Sequence, residues 1–318
     1  MVARRGRLTD LYRTVHPYPT YALAAVDAVG EHLQARLLTL ANSPADPATA
    51  GRDSARPYQM KPQRDPRAIA RAAGRVRRIL VPYHRARVIG IEHIPSGPAL
   101  YVANHNGVFY TGDTYLFAAA VHHARGLADT PWVLTHDLGL TLLGRWLRPL
   151  GAVPADFATA VALLTKGDKV LVYPGGDADG ARRWTDRHQV IFDGRVGHAR
   201  LAVACGVPVV PVAAAGAHNT AVVLYDGAAV ARLLRTRRWL RLARWPLLLS
   251  LPWGLTFLPA VPYLPLPARI TVRIGPPIHF ERHGPEAAAD DEYVARCAAR
   301  VHDTVQALLD GSASEARR

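Results

Sequence analysis

Three short apolar runs, Ala99–Val102, Lys169–Val172 and Pro208–Ala213, do most to limit the folds open to this chain. Each is too short for a buried helix, and each runs out into a turn rich in Gly, Pro, Asn or His. Such runs read as strands buried on both faces. Segments with helical character follow at about 113–126, 138–147 and 157–164, so strands and helices alternate as they do in α/β proteins.

The turn after the first run is Asn104-His105-Asn106-Gly107-Val108-Phe109-Tyr110-Thr111-Gly112-Asp113. A strand that ends at Asn-His and re-enters a helix at Asp puts a histidine on a loop at the carboxyl end of a sheet, where α/β folds place their ligands. Gly107 and Gly112 suit a tight backbone path, and Asp113 suits a helix N-cap. An imidazole titrates near neutrality, so His105 is the candidate general base. Asp113 is its candidate partner, fixing the tautomer and stabilising the imidazolium. The alternative is a surface histidine beside an ordinary cap.

The second run ends in Tyr173-Pro174-Gly175-Gly176-Asp177. Two glycines at a strand end permit close approach of a ligand, and their amides can point at one anionic oxygen. No Gly-Lys-Ser/Thr follows, so this is not a phosphate-binding P-loop. Asp177-Ala178-Asp179-Gly180 lacks the remaining ligands of a calcium loop, and no metal site is expected. Arg182 and Arg183, with Arg187, either meet a phosphate or line a solvated loop. His136 and Asp137 are adjacent in sequence and read as pocket wall or loop.

Charge is the main compositional signal, at +14 with a pI near 10.3. A balance of this size favours nucleic acid, an anionic membrane surface or anionic small molecules. Eight arginines and one acid fall between Arg64 and Arg87. With Ile69, Ala72, Val76, Ile79 and Leu80 they describe a basic amphipathic segment that either lies on a bilayer or packs on its own domain. Six more arginines fall between 232 and 244 and lead into the uncharged stretch 245–268. Its six prolines exclude a regular spanning helix, leaving a patch that dips into one leaflet or the wall of an acyl pocket. Cys205 and Cys297 read as reduced core residues, and Met1–Arg13 does not read as a leader. The expected organisation is a helical extension over 1–42, a disordered linker over 43–66, one domain over 67–310 and a disordered tail over 311–318.

Four ordered blocks give the chain a resemblance. Asn104-His105 with Asp113, Gly151-Ala152-Val153-Pro154-Ala155, Tyr173-Pro174-Gly175-Gly176 and Val207-Pro208-Val209-Val210-Pro211-Val212 are similar to those of the glycerolipid (lysophospholipid) acyltransferase superfamily. The likeness covers about residues 86–280. It implies a central, mostly parallel sheet flanked by helices, here with an N-terminal helical extension. It also implies transfer of a fatty acyl group from acyl-CoA or acyl carrier protein to a lipid hydroxyl, with His105 as base and Asp113 as partner. Asn104, Gly107, Gly175, Gly176, Arg182 and Arg183 are then the candidate substrate-binding residues. The acyl donor is a co-substrate, so no cofactor is expected. The expected place is the cytoplasmic face of the cell membrane, peripherally bound, with no nucleic-acid partner.

Three departures from the common pattern stand out. The acid lies eight residues after the histidine rather than five. The Glu and Arg of the usual Phe-Pro-Glu-Gly-Thr-Arg block are replaced, and the second block lacks its Arg. The Pro-Gly-Gly form resembles diacylglycerol acyltransferases and phytyl ester synthases, whose acceptors are neutral. Two rival readings remain: a basic membrane- or nucleic-acid-binding module with a decayed site, and a lipid hydrolase on the same fold.

Overall fold

A computed structural model describes residues 63–107, 110–135, 143–236, 242–257 and 263–315. The expected extension over 1–42, most of the expected linker, and His136 and Asp137 lie outside the described residues. The end of that linker does not hang free. Arg64 donates to the carbonyl of Thr130, lies 3.5 Å from Asp168 and stacks over Trp132. Asp65 caps the first helix through the amide of Arg67.

That helix, α1 (Pro66–Arg75), continues through a π-helical turn (Val76–Leu80) to Tyr83. Strand β1 (Arg87–Ile89) follows, then β2 (Ala99–Ala103), α2 (Gly112–Arg125), β3 (Trp132–Thr135), β4 (Ala152–Pro154), α3 (Phe157–Thr165) and β5 (Lys169–Val172). A short α4 (Gly176–Gly180), α5 (Gly197–Cys205) and β6 (Val209–Ala215) complete the repeating part. The chain then forms β7 (Val222–Tyr225), α6 (Ala228–Leu233), β8 (Leu247–Ser250) and β9 (Gly254–Thr256). It returns through β10 (Thr271–Ile274), α7 (Pro285–Ala289) and α8 (Asp291–Glu315).

The main sheet has seven strands in the order β1-β10-β6-β2-β5-β3-β4, parallel throughout except where β10 meets β6. The α/β expectation therefore stands. The three apolar runs are its centre, β6-β2-β5, and their two-sided burial explains why they carry no polar alternation. Along β2, Leu100 and Val102 enter the core beneath α3, α5 and α8, while Ala99, Tyr101 and Ala103 enter the core beneath α1 and α2. The one cation among these strands, Lys169, is buried with its ammonium on the carbonyl of Gly97 and the carboxylate of Asp129, each at 2.6 Å.

Two sequence expectations change. The alternation of Arg269-Ile270-Thr271-Val272-Arg273 suggests an edge strand, yet β10 lies inside the sheet between β1 and β6. Arg273 is accommodated because its Nε reaches Ser312 on α8. The tail expected from 311 on begins in a helix instead, because α8 runs through Gly311 to Glu315, and Ser312 donates to the carbonyl of Leu308. Cys205 and Cys297 are free thiols, the second buried.

A second, three-stranded antiparallel sheet, β7-β8-β9, stands apart from the first. It absorbs much of the Pro-broken apolar stretch. Among the described residues no helix is long and apolar enough to cross a membrane.

Candidate active site

The loop after β2 is held by buried polar side chains, and the first of them is Asn104. Its Oδ1 accepts from the amide of Ala214 at 2.8 Å, and its Nδ2 donates to the carbonyl of the same residue at 3.3 Å. This side chain extends the β2–β6 pairing one residue past the strand. Asn104 is wholly buried, so its place is that of a clamp beneath the loop rather than a ligand contact.

His105 comes next and is gripped at both backbone ends. Its amide donates to Asp179 Oδ2 at 2.5 Å, and its carbonyl accepts from Arg182 Nη1 at 2.7 Å. The ring leans on Tyr173, with centroids 4.8 Å apart and planes 35° apart. On another side lies Gly180, where a Cβ would sit 2.9 Å from His105 Cδ2. Only a glycine leaves the imidazole room there. The ring is half-buried, and its Nδ1 is enclosed with no hydrogen-bond partner among the described residues. Burial, and then the charge of Arg182, depress its pKa to about 4. The imidazole is therefore neutral at physiological pH, the form that accepts a proton.

The expected direct contact between His105 and Asp113 is not among the described hydrogen bonds. Asp113 Oδ2 instead accepts from Asn106 Nδ2 at 2.9 Å, and Oδ1 from the amide of Thr114. Burial raises the Asp113 carboxyl to about 6, with those two hydrogen bonds pulling the other way. Asn106 is the junction that sequence reasoning missed. While its Nδ2 serves Asp113, its Oδ1 accepts from Arg182 Nη2 at 2.7 Å.

Arg182 was expected at a phosphate or on a solvated loop. It lies instead wholly inside, paired with Asp179 at 2.9 Å and donating to the carbonyls of His105, Asp179 and Arg187. A guanidinium committed to this many protein acceptors has little left for a ligand. Arg183 is exposed and pairs with Asp186 at 3.0 Å. Asp179, read in sequence only as part of a failed calcium loop, also accepts from the amide of Ile191. Its i, i+3 spacing to Arg182, just past a short helix, was the one available signal.

The Pro-Gly-Gly turn is likewise built into the protein. The Gly176 amide donates to the carbonyl of Tyr173 at 3.1 Å, so it is not free for an oxyanion in this geometry. The carbonyls of Pro174 and Gly175 both accept from Arg195 at 2.8 Å. Gly107 has φ +73°, and a Cβ there would collide with the carbonyl of Tyr110, so it shapes the loop. Behind the loop a cavity of about 10 Å³ is lined by Asn104, Asp113, Tyr173 and Ala214, among others. That volume holds about one water. Among the described residues no cluster suited to a metal ion occurs.

A histidine held neutral at the carboxyl end of a parallel sheet, with a buried carboxylate two side chains away, is equipped for proton transfer to or from a bound hydroxyl. The family model for acyltransferases matches residues 85–215, the stretch that carries the His105 loop. Among particular proteins, the chain is similar to an uncharacterized protein of Mycobacterium leprae, at 29% identity over 71% of this chain and 60% of the relative. An uncharacterized protein of Mycobacterium tuberculosis is 27% identical over 71% of this chain and 61% of its own length. The chain thus spans about 60% of the length of these relatives. The crystal structure of the 1-acyl-sn-glycerophosphate acyltransferase PlsC from Thermotoga maritima aligns with a TM-score of 0.47 and 19% identity, over 77% of this chain and 78% of that one.

Proposed function

We propose that the protein transfers a fatty acyl group from acyl-CoA or acyl carrier protein to the hydroxyl of a lipid, with His105 as general base. The observation that carries this reading is the state of His105. It is a half-open, neutral imidazole whose backbone is locked by a buried ion pair, inside the stretch that the acyltransferase family model matches.

In the proposed reaction His105 takes the proton of the acceptor hydroxyl as that oxygen attacks the thioester carbonyl. The tetrahedral intermediate collapses with loss of thiolate, which takes the proton from the imidazolium or leaves as the anion. Asp113 acts through its charge rather than by contact: ionised above about pH 6 and buried behind Asn106, it favours the imidazolium through the low-dielectric interior. No covalent acyl-enzyme is needed. Arg182 is committed to the loop, so the case for a phosphorylated acceptor rests on Arg183. The net charge of +14 supports an anionic membrane, on its cytoplasmic face, as the place of reaction.

The test uses purified protein, labelled acyl-CoA and a panel of neutral and phosphorylated lipid acceptors. His105→Ala is expected to lower transfer by about a thousandfold or more while circular dichroism stays unchanged. A folded variant with the parental rate overturns the assignment. Free fatty acid released at the same rate with no acceptor present identifies a hydrolase instead.

A further inference from the structure

The β7-β8-β9 sheet is apolar on both faces. An antiparallel sheet with one face against the protein ordinarily shows polar side chains to water and apolar ones to the core. On β8, Leu248 and Ser250 point inward, while Leu249 and, just past the strand, Leu251 are 48% and 52% exposed. On β9, Thr256 is buried and Leu255 is 63% exposed. The register sets Leu249 directly opposite Leu255, while the hydroxyls of Ser250 and Thr256 meet beneath at 3.4 Å. Trp253 at the turn, Phe257 after it, and Leu264, tied to Leu251 by a backbone bond, extend the same exposed surface. This is a contiguous apolar face with hydroxyls underneath it. Such faces mark interaction sites.

The surroundings say what covers it. Between Ala221 and Ile270 the sequence has one acid, Asp226, and seven arginines. Asp226 lies 3.5 Å from Arg244 and is thereby offset. Arg232 and Arg235 are exposed beside Leu233 and Leu234, which are themselves exposed on and after α6. An exposed apolar face in a segment this rich in cations complements a leaflet of anionic lipids, and a tryptophan at the turn suits the interface. A second copy of the chain would oppose cation to cation.

The same segment reaches the site. The amide of Ala243 donates to Asp177, beside the Pro-Gly-Gly turn, at 2.6 Å. Tyr263 accepts from the amide of Tyr110 on the His105 loop at 3.4 Å.

We infer that the outer face of β7-β8-β9 docks on an anionic phospholipid surface, seating the His105 loop beside the bilayer so that the acceptor enters from the lipid. The docking stands independently of the chemistry; only the delivery of the acceptor rests on the reading above.

The experiment uses the full chain with vesicles of phosphatidylcholine alone and of phosphatidylcholine mixed with phosphatidylglycerol. The wild type is expected to sediment with the mixed vesicles, and Leu249→Ser/Trp253→Ser/Leu255→Ser to lose this by at least about tenfold with its melting temperature retained. Trp253→Phe, which keeps the fold, is expected to lose most quenching of tryptophan fluorescence by brominated lipid. Arg232→Glu/Arg235→Glu is expected to weaken binding to mixed vesicles only. Transfer to a water-soluble acceptor should be unchanged in the triple variant and transfer to a vesicle-borne one reduced. Failure of the wild type to bind, or equal binding by the triple variant, overturns the inference. So does a dimer in light scattering that the triple variant dissolves without change in vesicle binding. Loss of all acyl transfer in the wild type, with binding intact, overturns the enzyme reading and leaves the docking face standing.

Discussion

The cluster behind His105 and the outer face of the β7-β8-β9 sheet depart from the ordinary placement of side chains in opposite directions. At the first, Arg182, Asp179 and Asp113 lie inside the protein, and the structure supplies acceptors and donors for nearly all they need. At the second, Leu249, Trp253 and Leu255 stand in water over a buried pair of hydroxyls. Burying charge costs stability unless each group is matched, and exposing large apolar groups forgoes the gain of burial. On the readings proposed above, both arrangements serve function rather than folding: one fixes a base, the other meets a membrane. The helix α1 shows the contrast from a third side. It has the same mix of arginine and apolar residues as the segment around 232–257, yet Ile69, Ala73 and Val76 are buried under their own domain. Its arginines face water, and Ile79 and Tyr83 are left as its exposed apolar groups. Composition alone does not separate a packed helix from a docking surface.

Substitutions can break or sharpen the comparison. The largest loss is expected for Arg182→Met, which strands Asp179 in the interior; about 3–5 kcal/mol should disappear from the urea unfolding curve. On β8, Leu248→Ala should cost about 2–4 kcal/mol, because Leu248 is the inward member of the strand. A pH series on transfer activity comes next. Asp113 is ionised only above about 6, whereas His105 stays neutral down to about 4. If the charge of Asp113 supports the imidazolium, the rate falls as pH drops through 6. Asp113→Asn should lower the neutral rate by roughly tenfold or more and move the acid limb toward 4. An unmoved limb would show that Asp113 serves only the loop. The smallest effect is expected at Leu255, one residue from the inward Thr256. Leu255→Ser should change stability by less than about 0.5 kcal/mol. A large loss there would mean that this face packs against the protein itself.

How far the sequence could be read follows from which contacts are local. Ala99–Val102, Lys169–Val172 and Pro208–Ala213 declared the three central strands because a strand buried on both faces leaves an unbroken apolar run. His105 was legible because a strand end, a glycine and a helix start bracket it within a few residues. Asp179 and Asn106 were not, since what they grip lies 74 and 76 residues away in sequence. Arg182 was misplaced for a related reason: next to a Gly-rich turn, a guanidinium pointing inward looks the same as one pointing outward. Trp245 shows this too. It belongs to the apolar stretch, yet it is buried and donates to the carbonyl of Phe257, while Trp253 nearby is exposed. The neutral-acceptor resemblance of the Pro-Gly-Gly block touches none of this geometry, and the acceptor panel is its test.

The placement of β10 bears on how this chain is made. Strand β1, at one rim of the sheet, pairs with β10 alone among the described strands, through Arg87–Thr271, Val88–Val272 and Ile89–Arg273. A ribosome releasing the chain from its amino end would therefore hold β1 without its neighbour until almost two hundred further residues had emerged. The segment matched by the family, 85–215, ends before that neighbour begins. Cut out at those limits, it would keep its central strands and leave its first strand nothing to pair with.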